Sequence, residues 1–152
     1  MSASTGPRLR RSAGAASLLI VLTAAVLLVT SSPAAAKRND HTPPMFAGLK
    51  SATTCIPGPI GGGRAVSYNL SWDPATDNVS PSRRIVYDVY QANKSGGEDF
   101  SAPTYTTPAG ATSFTTQELP TDQLFYFVVR ARDQAGNSDS NTVEREGQNL
   151  CV

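Results

Sequence analysis

The sequence predicts an all-β fold, and three observations predict it. Residues 124–137 (LFYFVVRARDQAGN) alternate Phe125, Phe127, Val129 and Ala131 against Leu124, Tyr126, Val128 and Arg130. A two-residue period rich in aromatic and β-branched side chains reads as a central strand. Residues 65–72 (AVSYNLSW) alternate as cleanly, with Val66, Tyr68, Leu70 and Trp72 inward and Ser67, Asn69 and Ser71 outward. No window carries a helical period, and turn signals recur about every ten residues.

In chain order, Arg8, Arg10 and Arg11 precede an uncharged, mostly apolar run at 13–29 and then Ala34-Ala35-Ala36, the layout of a secretory signal peptide cleaved after Ala36. The rival reading is a retained membrane anchor, since the apolar run is at the short limit for a span. Residues 37–44 are a polar, proline-ended lead-in, and 45–54 form a weak first strand suited to an edge by the preceding Pro44. The run after Cys55, with Pro57, Pro59, Gly61, Gly62 and Gly63, is loop. It lacks the Lys-Ser/Thr ending of a phosphate-binding loop. Residues 65–72 give the second strand and 84–91 (RIVYDVYQ) the third; Ser95-Gly96-Gly97 turns the chain. Two short Thr-rich strands follow at 104–107 and 111–116, split by Pro108-Ala109-Gly110. Leu119-Pro120-Thr121-Asp122 is a corner into the sixth strand, which Asp133 to Asn137 closes as a turn: Gly136 admits positive φ, and Asp and Asn bond their own backbone. A polar seventh strand spans 138–146. Seven short strands in roughly 100 residues are the signature of a seven-stranded immunoglobulin-like β-sandwich.

The bulk properties narrow the function. Of 13 basic residues three lie in the leader, leaving ten against 12 acidic ones, with no basic stripe, so nucleic acid is not an expected partner. Once the signal is cleaved no membrane span is expected. Cys55 and Cys151 are the only cysteines, and in an exported chain they are expected to form a disulfide. No catalytic residues are assigned. A Ser/His/Asp site would need His41, which lies in the lead-in with no rigid element to orient it.

The pieces Thr42-Pro43-Pro44, LSWDPATDN at 70–78, IVYDVYQ at 85–91, TSFTTQEL at 112–119 and FVVRARDQAGNSDSN at 127–141 resemble, in order and spacing, a fibronectin type III domain of the bacterial extracellular form. The likeness covers about residues 40–147. Trp72 closes the second strand, whereas antibody-type domains carry their tryptophan on the third. The family's corner tyrosine is replaced by Phe125, with the tyrosine displaced to Tyr126 on the opposite face. The resemblance implies that the first and last strands run the same way, which brings Cys55 and Cys151 to one pole. It implies a spacer or adhesion role, secreted or at the cell surface: a non-catalytic module binding an extracellular protein or polysaccharide. The alternatives are an accessory module for extracellular polysaccharide degradation and a structural cell-envelope protein. In this fold strands three and six adjoin, so Val86, Tyr90, Tyr126 and Val128, bordered by Arg130 and Arg132, form a candidate contact face. Asp40, Asp73, Asp77, Asn78, Asp133, Asn137 and Asp139 gather at one pole. They are oxygen ligands suited to calcium, and equally ordinary turn formers. No metal or cofactor is assigned from the sequence.

Overall fold

The computed structural model describes residues 39–55 and 64–150. The expected signal peptide, most of the glycine-rich loop and Cys151 lie outside the described residues. The described part is essentially all-β, with a single 3-10 turn at Ser82–Arg84. None of its helical structure is long and apolar enough to cross a membrane.

Ten strands are defined among the described residues: β1 (Ser51–Thr54), β2 (Ala65–Val66), β3 (Asn69–Ser71), β4 (Val86–Ala92), β5 (Tyr105–Thr106), β6 (Ser113–Thr115), β7 (Leu119–Pro120), β8 (Tyr126–Arg132), β9 (Glu144–Glu146) and β10 (Gln148–Asn149). One four-stranded sheet has the order β10-β1-β3-β6, another β5-β4-β8-β9, and β2 pairs with β7 alone. The longest ladder joins β4 to β8, from Val86 opposite Arg132 to Ala92 opposite Tyr126.

The count differs from seven because one expected strand is interrupted and two short strands form outside the expected ones. The second is split into β2 and β3 at Ser67-Tyr68, where Thr116 intervenes: its hydroxyl accepts from the Tyr68 N–H at 2.9 Å while its own N–H donates to the Tyr68 carbonyl at 3.0 Å. The expected corner at Leu119-Pro120 is itself a strand, β7. The last strand begins later than expected, at Glu144, as β9 beside β8, and past Gly147, beyond its expected end, the chain forms a further strand, β10, parallel to β1. Gly147 sits where a Cβ would come within 2.3 Å of the Tyr68 ring, so the crossing from one sheet to the other requires a residue without a side chain. The first strand is shorter than expected. Met45 only bridges Thr76, and Gly48, at φ 86°, turns the chain before β1 begins.

Both four-stranded sheets feed one hydrophobic cluster, which includes Ala52 and Leu70 from the first and Tyr87, Val89, Phe127, Val129 and Ala131 from the second. The inward set expected for residues 65–72 is largely as read: Tyr68, Leu70 and Trp72 are buried, and Val66 is half-buried against them. Tyr87 stands at the centre, its ring 5.2 Å from those of Phe46 and Trp72. Two ring polar groups in this region are satisfied: the Tyr87 hydroxyl accepts from the Ala75 N–H at 2.8 Å, and Trp72 Nε1 donates to the Ala111 carbonyl at 3.0 Å. A buried polar group without such a partner would cost about 1–3 kcal/mol.

Candidate functional site

The face of β4 and β8 turned away from the core was expected to expose Val86, Tyr90, Tyr126 and Val128. The structure corrects this for two of them: Tyr90 is 6% and Val128 1% exposed, while Val86, Tyr126 and Arg130 are half-buried. The cover for Tyr90 comes from the long connection between β4 and β5. Its Phe100 ring meets the Tyr90 ring edge-on at 5.1 Å, and the Arg130 guanidinium lies 3.6 Å from the Phe100 ring centre and 5.7 Å from that of Tyr90. Cation–π stacking of this kind contributes about 0.5–2 kcal/mol. Arg130 is further held by Nε donating to the Asn141 carbonyl at 3.0 Å.

Beside this cluster Asp88 is also buried, although its strand parity points away from the core. Arg132 reaches it with two bonds, Nε to Oδ2 at 2.7 Å and Nη2 to Oδ1 at 3.0 Å, and the Thr106 hydroxyl donates a third at 2.8 Å. This fork geometry is the strong form of the pair. The Asp88 carboxylate raises the Arg132 pKa above its ordinary value. Burial pushes the Tyr90 phenol up, with the Asp88 charge adding to it and Arg130 and Arg132 opposing. The outer face of the sheet is therefore a polar and aromatic layer rather than a bare apolar strip. Phe100 and Asp88 are the residues that sequence reasoning missed. The available signal was a lone Phe inside the polar run 95–104, a side chain with an incentive to find cover.

The acidic residues expected at one pole have separate fates. Asp73 pairs with Lys50 at 3.2 Å on the exposed surface. Asp139 accepts from the Ala131 N–H and from Asn141, fixing the connection between β8 and β9. Asn137 donates to the Asp40 carbonyl at 3.0 Å and to Asp133 Oδ2 at 2.7 Å. Asn78 is exposed. Asp40, Asp77 and Asp133 do converge.

At the other end of the molecule β10 runs parallel to β1, and the Leu150 N–H donates to the Thr54 carbonyl at 3.0 Å. Cys55 directly follows Thr54, and the described residues include no free cysteine. Its expected partner, Cys151, lies outside the described residues. Phe125 is buried against Tyr68 at a ring distance of 6.2 Å. No family model matches the chain, and no curated protein matches it at a significant level.

Proposed function

We propose that this chain is a secreted fibronectin type III-like β-sandwich that serves as a non-catalytic binding module for an extracellular protein or glycan. Support for the fold comes from reading interrupted strands as single runs. β2 with β3, β6 with β7 and β9 with β10 then leave seven runs, divided between the sheets as β1, β3 and β6 against β5, β4, β8 and β9. The single observation that carries the binding role is the Arg130–Phe100–Tyr90 stack on the outer face of β4 and β8. Arg and aromatic side chains are the residue types that dominate contact energies, and here Arg130 stands on the sheet with Phe100 packed against it from the β4–β5 connection. Tyr126 and Val86, half-buried at the two ends of the ladder, extend the face.

The non-catalytic reading is supported by the state of the polar groups. The Asp88 and Asp139 carboxylates are occupied by structural bonds, and His41 is exposed in the lead-in. The test is retention of the exported protein on insoluble polysaccharides and on cell-surface fractions. The double variant Tyr126→Ser/Arg130→Ala should bind about tenfold more weakly, with only a modest loss of thermal stability. Unchanged binding by the double variant would remove this face from consideration.

A further inference from the structure

Three carboxylates from distant parts of the chain meet at one point: Asp40 from the lead-in, Asp77 from the loop between β3 and β4, and Asp133 from the turn after β8. Each offers an oxygen, and the three lie within 4.8 Å of one another. Asp40 and Asp77 each use one oxygen locally, and Asp133 uses both, its Oδ2 accepting from the Asn137 side-chain amide. Asp40 Oδ1 accepts from the Thr42 N–H, Asp77 Oδ1 from Val79 and Ser80, and Asp133 Oδ1 from Gly136 and Asn137. The second oxygens are the informative ones. Asp40 Oδ2 and Asp77 Oδ2 are both shut off from solvent and have no hydrogen-bond partner. Asp40 is only 8% exposed and Asp133 only 5%.

Buried carboxylate oxygens are almost always paired, because an unsolvated anion is costly. Here two are unpaired, within a cluster of three carboxylates. The ion pairs seen among the described residues, Lys50–Asp73 and Arg132–Asp88, include none of the three. A cation between them would supply the missing partner. The donors are all hard oxygen, without His or Cys, which disfavours zinc and copper. Calcium takes oxygens at about 2.3–2.6 Å in flexible geometry, so three oxygens within 4.8 Å of one another can share one such ion. Magnesium demands near-ideal octahedral geometry and sheds its water reluctantly, which disfavours it at a buried all-carboxylate set.

We infer that Asp40, Asp77 and Asp133 form a binding site for a divalent cation of the calcium class, tying the lead-in to two loops of the β domain. It is independent of what the outer sheet face recognises.

The test uses the full-length exported protein, with calcium chloride and magnesium chloride as probes. Isothermal titration with calcium should give a saturable one-site signal; a flat titration overturns the proposal. For affinities typical of extracellular sites, about 10 mM calcium raises the thermal midpoint by about 5–10 °C over that in chelator. Magnesium at the same concentration gives less than half of that, and an equal shift would overturn the calcium-class assignment. Asp40→Asn and Asp77→Asn each keep an oxygen for their local backbone bonds. Both should lose the calcium shift while their midpoint in chelator stays level or rises, because a repelling charge has gone. An undiminished shift in both variants refutes the assignment to these residues.

Discussion

Replacing Tyr87 by Phe removes one buried oxygen and nothing else from the middle of the fold. The ring is fully buried, and its contacts with Phe46 and Trp72 do not involve the hydroxyl. What is lost is the 2.8 Å bond from the Ala75 N–H, and Ala75 is itself 1% exposed, so water has no ready access to the abandoned donor. A neutral buried donor left unsatisfied costs about 1–3 kcal/mol. The void is a single oxygen, so the packing loss is small beside that. With an unfolding entropy of about 2.1 cal/mol/K per residue over a domain of about 110 residues, a loss of about 2 kcal/mol lowers the melting midpoint by about 9 °C. Urea unfolding is the assay: the midpoint should fall by about 1 M while the slope m is unchanged, since the surface exposed on unfolding is the same. A loss below about 0.5 kcal/mol at constant m would refute the view that this hydroxyl ties the loop after β3 to β4.

Two further predictions concern charge and covalent structure. Burial, and then the nearby Glu144, raise the pKa of Glu98 above its ordinary 4.5, so its stabilising contribution is present below that value and lost as pH rises through the folded-state pKa. Glu144 is shifted the opposite way, chiefly by the Gly96 N–H. Glu98→Gln should therefore gain stability relative to the unsubstituted protein as pH rises above about 4.5, read as a widening difference in melting midpoint between about pH 4 and 8; a constant difference contradicts the assignment. Mass spectrometry of the exported protein should yield a peptide linking Cys55 to Cys151, and its reduction should lower stability by about 4–5 kcal/mol by the chain-entropy model. Two alkylatable thiols in the native protein would refute the bridge.

The elements that were legible in the sequence are those whose signal is local. Alternation at Tyr68, Leu70 and Trp72, and at Phe125, Phe127, Val129 and Ala131, named side chains that are buried in the core, because a strand turns successive residues to opposite faces whatever it pairs with. The period did not reveal where a strand is interrupted. Thr116 breaking β2 from β3, and Gly147 passing over Tyr68, depend on a partner about fifty or eighty residues away. The strand order implied by the family resemblance also gathered Asp40, Asp77 and Asp133 at one pole, where Asp is equally an ordinary turn former.

Tertiary structure alone decided which groups are accessible and which are paired. Tyr90 has the parity of a surface residue and is buried because Phe100, ten residues on, folds back over it. Asp88 shares that parity and is buried beneath its pair with the half-buried Arg132, while Asp73 remains at the surface with Lys50. The same distinction separates seven acidic or amide side chains near one pole from three carboxylates whose oxygens meet within 4.8 Å. Strand periodicity is a property of the backbone and can be read from neighbours along the chain. Burial of an outer face, and convergence of charge, are set by the path of loops whose ends the sequence separates, and so appear only once the chain is folded.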